Sequence, residues 1–309
     1  MPHIDGVPFR KLGNENHLSG AHVYNRVKIE LKQLPENNWI TKHLCDPSRF
    51  CGILIMDGKY VAVKGFKDKI PFIYGIDYLT HDVPLGDLCV AEDEISFSVF
   101  FGKLKQLGYP LRVIVADDRG GLKQALAKVF PHARLQLCHT HYLENLRRLL
   151  NVRTEARYRH FFNSLRLQVF LKARNQQQVV EGLRHVWQKH VRRRQKLENI
   201  LRAINNRREE LFAYLAIPDC PNTTNLIELY NSHLAGRLKT IKGFEGFEGA
   251  KRWLNAYLIR RRAKPLTDCK VKFKHLNKHA SLELSIKKQA RWPASLTKLE
   301  IKKIKYFEL

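Results

Sequence analysis

The chain changes its pattern of apolar and polar positions near residue 142. Before that point, short apolar runs rich in Ile, Val, Tyr and Phe alternate with polar turns, which is typical of strands. From His141 to about Leu215, apolar residues recur at helical spacing, as in Leu143 and Leu146, while Arg and Lys fill the other faces. The pattern therefore predicts an α/β part that is followed by an all-helical block.

Three β runs open the first part, at residues 51–56, 60–66 and 71–79. The pair Asp57-Gly58 lies between the first two runs and is a strong signal for a two-residue hairpin, because a type I′ turn needs positive φ at both central positions. We therefore expect three antiparallel strands, with Asp57 at the end of the first.

The next stretch predicts a helix and then a crossover. Acidic residues at 92–94 and a glycine at 108 indicate the start and the end of the helix. The runs LRVIVA, LKQALAKVF and ARLQLC predict a strand, a helix and a strand that form a right-handed parallel crossover. The order βββαβαβ predicts an α/β fold with a mixed sheet and helices on its faces.

Further helices are predicted at both ends of the chain. The segment from Ser19 to Pro35 has the pattern of one amphipathic helix, and a capping cluster at 222–225 opens another helix that extends through Leu238. After Pro265 the chain is rich in lysine. The expected division is a short N-terminal helical segment at 1–50, the first part of the core at 51–142, a helical insertion at 143–217, the completing helices at 218–264 and a basic tail at 265–309.

The 309 residues include 55 Lys and Arg against 29 Asp and Glu, which gives a net charge of +26. Residues 51–142 carry only +1, whereas the residues after 142 carry +23. Such an excess indicates a polyanionic partner, with nucleic acid favoured over a membrane surface. We expect no membrane span and no signal peptide, and the six scattered cysteines suggest a reducing compartment such as the cytoplasm.

Three carboxylates are candidates for a metal site. Asp117 directly follows the LRVIVA strand, at the carboxyl end where α/β sheets place their ligands, and Glu228 lies in the helix after the helical block. If Asp57 were brought beside Asp117, a cation such as Mg²⁺ would relieve their repulsion. Each residue also has an ordinary structural explanation. Asp57 could belong to a turn, Asp117 or Asp118 could cap the next helix, and Glu228 could be solvated.

Three sequence blocks in order resemble the bacterial insertion-sequence transposases that are related to the plant Mutator elements. The blocks are LIMDGKYVAVKG, VIVADDRGGLKQALAKVFPHARLQLCHTHYLENLRRLL and NTTNLIELYNSHLAGRLKTIKGF, and the resemblance covers about residues 51 to 262. It implies a ribonuclease-H-like mixed sheet that is interrupted by an all-helical insertion. It also implies a DDE transposase that cleaves DNA and joins it to a target.

The resemblance implies an Asp-Asp-Glu triad at Asp57, Asp117 and Glu228. Asp117 matches rather than Asp118, because the family's second Asp stands four residues before a Gly-Leu pair, here Gly121-Leu122. The triad would hold two Mg²⁺ or Mn²⁺ ions. The implied partners are double-stranded DNA, as transposon ends and target, and further copies of the chain in a homodimer or larger assembly.

Two asparagines accompany Glu228 on its predicted helix. Helical spacing puts Asn225 and Asn231 on neighbouring turns of the same face, so their amides could orient the carboxylate or contact DNA.

Cys138 and His141 match a Cys-x-x-His pair of the same family. Zinc binding would need two further ligands, and the sequence has no second Cys or His pair at a usable spacing. A buried cysteine at a strand end, with a histidine near the active site or the DNA backbone, is favoured. His139 has no counterpart in the pair and is expected to be incidental.

Basic residues after residue 142 are candidates for phosphate contacts. A solvated surface explains the run at 192–196 about equally well, and the run at 260–262 ends a helix, where positive charge favours the dipole. The candidate DNA contacts are Arg192, Arg193, Arg194, Lys196, Arg237, Lys239 and Lys242.

Two other functions remain open from the sequence. A DNA-binding protein descended from such an enzyme, domesticated or inactive, would keep the fold and lose catalysis, and a ribonuclease-H-like nuclease would cut DNA without joining ends. Only fifty residues precede the first predicted strand. We therefore expect end recognition to come from another polypeptide or from the basic carboxy-terminal part, unless this copy is truncated.

Overall fold

The computed structural model describes residues 2–192 and 194–288. Arg193, one of the candidate DNA contacts, and the tail after residue 288 lie outside the described residues. The chain divides into two compact units, of which unit 1 comprises Met1–Leu111, Gly120–Pro131 and Leu226–Leu309, and unit 2 comprises Arg112–Arg119 and His132–Asn225.

Three helices precede the first strand of unit 1: α1 (Phe9–Glu15), α2 (Gly20–Gln33) and α3 (Asn37–Leu44). The second of them is the amphipathic helix that the sequence predicts between Ser19 and Pro35. Ser19 begins it, because its hydroxyl accepts a hydrogen bond from the His22 backbone N–H at 3.1 Å.

The strands of unit 1 are β1 (Ile53–Val61), β2 (Ile70–Asp77) and β3 (Leu85–Leu88). β2 lies between the other two and pairs with both in the antiparallel sense. Every residue of β2 is buried. This central strand therefore forms the middle of the apolar core of unit 1.

The predicted hairpin at Asp57-Gly58 is wrong, because β1 runs through both residues. Asp57 pairs with Tyr74 and Gly58 with Ile73, and the φ angle of Gly58 is not positive. A Cβ on Gly58 would meet the end of the Glu92 side chain, which can move aside, so this contact does not require a glycine. The strand pairing therefore replaces the predicted turn.

The long first strand changes the assignment of the other two. β1 takes up the first predicted run and the start of the second, and β2 is the third predicted run. The sequence predicts no strand at Leu85–Leu88, because its central Gly86 and Asp87 are disfavoured in strands. Glycine suits position 86 because a larger residue would be too close to its neighbour: a Cβ there would lie 2.6 Å from the Leu258 side chain.

α4 (Glu94–Gln106) and α5 (Leu122–Val129) pack against each other in unit 1, and both match predicted helices. Asp93 caps α4 by accepting a hydrogen bond from the Ser96 backbone N–H at 2.8 Å. Gly121 lies where α5 begins, with a φ of 79°, and a Cβ on it would lie 2.5 Å from the backbone nitrogen of Glu94. Only glycine fits both requirements.

Unit 2 contains two strands, β4 (Val113–Ala116) and β5 (Arg134–Leu137), which pair in parallel with Ala116 opposite Leu137. Both were predicted as strands, and β4 is buried throughout. The Cys138 backbone N–H extends the pairing by donating to the Ala116 carbonyl at 2.9 Å. The parallel register therefore brings the carboxyl ends of the two strands together.

The predicted helical block is present in unit 2. A π-helical segment continues its second helix, and a 3₁₀ helix follows its last. Val179, Leu183 and Val186 are buried as their spacing predicts, whereas Trp187 stays 37% exposed beneath the Arg202 guanidinium. The helices are α6 (His139–Leu149), α7 (Ala156–Leu165), α8 (Gln176–His190), α9 (Gln195–Asn206) and α10 (Arg208–Leu211).

The chain then forms α11 (Asn225–Ile241), α12 (Phe247–Ala263) and α13 (Ser281–Ser285). The first of these begins at the predicted capping cluster. A 3₁₀ helix at Val271–Leu276 shows that part of the predicted basic tail is ordered.

A buried ion pair joins distant segments of unit 1. The Arg262 guanidinium near the end of α12 donates to both oxygens of Asp82 at 2.8 Å, and both side chains are fully buried. Asn37 and Thr41 of α3 accept further hydrogen bonds from the same guanidinium, and Ser281 donates to Asp82. Arg262 therefore has a structural role, as expected for a run that ends a helix.

The five strands include antiparallel and parallel pairs, and helices precede, separate and follow them along the chain, which confirms a mixed α/β fold. Within residues 2–192 and 194–288, no helix combines the length and the apolar character that crossing a bilayer requires. All six cysteines are free thiols.

Candidate active site

Asp57 lies in the middle of β1 and is held by a residue of α11. The Asn231 side-chain amide donates to Asp57 Oδ2 at 2.7 Å. Tyr74, which is opposite Asp57 in β2, donates from its hydroxyl to Asn231 Oδ1 at 2.9 Å. Asn231 therefore bridges the two side chains: its oxygen accepts from Tyr74, and its nitrogen donates to Asp57.

The Tyr74 hydroxyl fixes the orientation of this amide. Tyr74 is 1% exposed, and burial raises the pKa of its hydroxyl well above the usual range. A hydroxyl that stays protonated can donate only if Asn231 presents its oxygen, so the amide N–H₂ is left facing Asp57. The Asp57 carboxylate is thus held by a donor whose own position is set from the core.

Glu228 lies in the first turn of α11, one turn before Asn231. Its side chain is half-buried, as is that of Asp57, and Asn225 at the start of the helix is exposed. Helical spacing places Glu228 and Asn231 on one face. The helix whose Asn231 holds Asp57 therefore also carries the second predicted acidic residue of unit 1.

A groove of about 560 Å³ runs beside Asp57 in unit 1. The described residues that line it include four lysines and one acidic residue, Asp57. Two of the lysines, Lys239 and Lys242, are exposed candidates for DNA contacts at the end of α11. The other two, Lys59 and Lys69, were not predicted and come from β1 and the loop before β2.

Asp117 lies in unit 2, directly after β4, and has a histidine beside it. His141 Nδ1 lies 2.7 Å from Asp117 Oδ1 and 3.3 Å from Cys138 Sγ. Cys138 follows β5 as Asp117 follows β4, and His141 is one turn further along α6. The predicted pair Cys138 and His141 thus meets Asp117 at the carboxyl ends of two parallel strands.

Thr224 completes this cluster. Its backbone N–H and its hydroxyl both donate to Cys138 Sγ, at 3.4 and 3.2 Å, and the hydroxyl lies 3.4 Å from His141 Nδ1. Cys138 is 1% exposed, so the sulfur is buried beside polar groups. The four side chains form a polar cluster, which we call the Asp117 cluster: Asp117, Cys138, His141 and Thr224.

Asp118 has a different role from its neighbour. Arg207 holds its carboxylate through two nitrogens, one of them at 2.8 Å, and this hydrogen bonding lowers the pKa of Asp118. Arg207 also binds Glu210 at 3.1 Å. An aspartate engaged by a guanidinium fits a structural contact, in keeping with the choice of Asp117 for the triad.

His139 is a core histidine. It is 4% exposed, its Nε2 lies 2.6 Å from the Leu211 carbonyl oxygen, and burial lowers its pKa to about 4. Phe212 and Tyr214 pack against the ring edge-on. The ring is therefore neutral and fills the core.

The other predicted DNA contacts are not among the residues that line the groove beside Asp57. Arg192 and Arg194 are exposed, which fits a phosphate contact and a solvated surface equally. Lys196 is also exposed, but it donates to the Leu149 carbonyl at 2.9 Å and lies over the Tyr158 ring. Arg237 is half-buried and packs beside Gly6.

Sequence reasoning missed Tyr74, Lys59 and Lys69, and gave Thr224 no contact of its own. The signal for Tyr74 was its place opposite Asp57, which becomes visible only when β1 and β2 are paired in the right register. Lys59 was hidden because the hairpin error placed it in a turn rather than in a continuous strand, and Lys69 lies in the loop before β2, where the sequence gave no sign of a groove.

The described residues thus define an α/β protein in which one half-buried carboxylate, that of Asp57, lies beside a lysine-lined groove. A family model with the description "Transposase, Mutator family" matches residues 53–264, more than half of the chain. The chain therefore belongs to the Mutator family of transposases, enzymes that cleave and transpose DNA. A search of curated proteins finds no match.

Proposed function

We propose that this transposase is a DDE enzyme with a ribonuclease-H-like core, and that Asp57, Asp117 and Glu228 are its triad. The observation that carries the proposal is the 2.7 Å hydrogen bond from Asn231 to Asp57. It joins the strand that bears the first aspartate to the helix that bears the glutamate. In this proposal the helices between 143 and 217 are an insertion into the core.

The three side chains fit a hard divalent cation. All are carboxylates, and all are half-buried, so they offer oxygen ligands without being sealed from solvent. They would hold two Mg²⁺ or Mn²⁺ ions. When bound, such ions activate an attacking oxygen and stabilise a leaving oxygen in phosphodiester chemistry.

The chain's own residues would position the carboxylates and the DNA. Asn231 donates to one oxygen of the Asp57 carboxylate and so restrains its orientation. The lysines of the groove, Lys59, Lys69, Lys239 and Lys242, would neutralise phosphates of a strand beside Asp57.

Two in-line displacements follow at this site. In the first, water attacks a phosphodiester at the element end, and the leaving oxygen becomes a free 3′-hydroxyl. In the second, that hydroxyl attacks a phosphodiester of the target strand. The substrates are double-stranded DNA ends and target DNA, and pairing two ends calls for a homodimer or a larger assembly.

Isosteric substitutions test the triad. We expect D57N, D117N and E228Q each to lower Mg²⁺-dependent cleavage and strand transfer by about 100-fold or more, the scale of losing one transition-state stabiliser, while DNA binding is retained. The assays are nicking of supercoiled plasmid and joining of pre-cut ends. D118N is the matched control, because Asp118 binds Arg207 and is expected to be dispensable for cleavage.

The outcomes separate the alternatives. Equal activity in D57N and the parent protein would remove Asp57 from the triad. Cleavage without joining would identify a nuclease of the same fold. DNA binding with no cleavage by the parent protein, with either Mg²⁺ or Mn²⁺, would identify a DNA-binding protein that has lost catalysis.

A further inference from the structure

The Asp117 cluster has the ligand set of a soft-metal site. A carboxylate oxygen of Asp117, Cys138 Sγ and His141 Nδ1 all lie within 4.8 Å of one another. Sulfur and imidazole nitrogen are ligands that zinc prefers and Mg²⁺ does not. The sequence offered only two of these ligands, because Asp117 is 21 positions away from Cys138 and joins them only through the parallel strand register.

The separations are close to those of a coordinated ion. With Zn–S near 2.3 Å and Zn–N near 2.0–2.1 Å, a tetrahedral site puts sulfur and nitrogen about 3.6 Å apart. The observed distance between Cys138 Sγ and His141 Nδ1 is 3.3 Å. The pair of His141 and Asp117, at 2.7 Å, has to open further, and the His141 side chain is 40% exposed.

The surroundings of the sulfur would stabilise its negative charge when it is bound to a metal. Thr224 provides two donors to Sγ, from its N–H and its hydroxyl. Cys138 is the residue at the N-terminus of α6, an 11-residue helix whose dipole favours an anion there. Such neighbouring hydrogen bonds are part of how metal sites orient and tune their ligands.

We propose that Asp117, Cys138 and His141 form a Zn²⁺ site, with water as the fourth ligand. Binding replaces the S–H bond of Cys138 by an S–Zn bond and releases the proton to solvent. Because Zn²⁺ takes the Asp117 carboxylate, it competes with Mg²⁺ there and arrests strand cleavage. The arrest rests on the proposed function, whereas the binding does not.

Cobalt is the probe for binding, since Co²⁺ takes zinc sites and its spectrum reports the ligands. Titration of the full chain with Co²⁺ is expected to give the visible bands of tetrahedral coordination and a near-ultraviolet thiolate-to-cobalt band, and one equivalent of Zn²⁺ is expected to remove both. C138S is expected to lose the thiolate band, and D117N to bind at least tenfold more weakly.

C220S is the matched control, because Cys220 is another buried thiol of unit 2 outside the cluster. It is expected to give the spectrum of the parent protein. Circular dichroism of each variant establishes that it is folded, and D117N supplies the test if C138S fails to fold. Absence of the thiolate band in the parent protein, or its persistence in C138S, would overturn the site.

Cleavage at fixed Mg²⁺ tests the arrest. Each protein is compared with its own zinc-free rate, and we expect the zinc concentration for half inhibition to rise at least tenfold in C138S and to stay unchanged in C220S. A cobalt spectrum as expected, together with equal zinc inhibition of C138S and C220S, would overturn the arrest and leave the site. If the parent protein does not cleave DNA at all, the proposed function fails while the cobalt titration still decides the site.

Discussion

His81 is a buried residue of unit 1 whose charge is controlled by its surroundings. It is 4% exposed, and its ring packs 4.5 Å from that of Phe273. Burial, assisted by the charges of Arg261 and His275, lowers its pKa to about 4, against an opposing effect of Asp268. The folded protein therefore holds this ring neutral at pH values where the unfolded chain binds a proton.

This difference predicts a loss of stability in acid. Because the pKa of His81 is lowered on folding, the neutral ring contributes fully to the free energy of unfolding above about pH 6.5. This contribution is lost as the pH falls to about 4. H81N removes the titrating ring and suits the positive φ of 56° at this position. Between pH 7 and pH 4 we expect the parent protein to lose up to about 3 kcal/mol more than H81N.

Urea unfolding of both proteins at the two pH values measures the difference. Other groups titrate equally in both proteins and cancel in the comparison. An identical pH dependence in the parent protein and H81N would show that His81 is not the source.

At the residue scale, sequence and structure agree where a residue's partners are local. Asn231 was placed on the face of Glu228 because both lie on one helix. The hydrogen bond from Asn231 to Asp57 spans 174 positions, and no helical spacing predicts it. The contact of His141 with Asp117 depends in the same way on the pairing of β4 with β5.

The junction of α4 and α5 depends on one of two adjacent glycines. A Cβ on Gly121 would lie 2.5 Å from the Glu94 nitrogen, and the φ of 79° is unfavourable for any other residue. A Cβ on Gly120 would meet nothing within 4 Å. The two positions therefore form a matched pair for testing how closely these helices must approach.

We expect G121A to lower the free energy of unfolding by at least about 2 kcal/mol, from backbone strain and the collision with α4. G120A is expected to change it by less than about 0.5 kcal/mol, as for an exposed position without contacts. Denaturant unfolding measures both. A G121A protein as stable as G120A would contradict the close approach of the two helices.

The elements that the sequence predicted best are those with an apolar pattern and a clear end. An apolar pattern and a clear end are both found in the helices α2, α4 and α5 and in the strands β4 and β5. β1 was split in two because Asp57-Gly58 has the local signal of a turn, whereas pairing with β2 continues through both residues. β3 was not predicted because a glycine disfavours a strand locally. The reason for Gly86 is its close approach to Leu258, which is 172 positions away in the sequence.

At the scale of the whole molecule, the uneven charge predicts how DNA binding responds to salt. The residues after 142 carry +23 of the net +26, and Lys239 and Lys242 lie in the groove beside Asp57. Each phosphate that a lysine neutralises releases counterions and adds about 0.9 to the slope of log affinity against log salt. The slope therefore measures the number of phosphates that the protein neutralises.

We expect K239Q/K242Q to make the slope shallower by about 2, without changing any sequence preference. The matched control is K11Q/K28Q, which removes the same charge from α1 and α2, outside the groove. Fluorescence anisotropy of labelled duplex DNA from low to moderate salt measures both slopes. Equal changes in the two double variants would show that net charge, rather than the groove, governs binding.

The ion pair of Asp82 and Arg262 sets an order of events during synthesis. The two residues are 180 positions apart, and all of unit 2 lies between them in the chain. At about 5–20 residues per second, Arg262 is made about 10–40 s after Asp82. Over that interval Arg262 is not available to pair with Asp82, so the hydrogen bonds that it makes to Asp82 and to α3 cannot yet form. Unit 1 therefore begins to leave the ribosome before unit 2 but is completed after it.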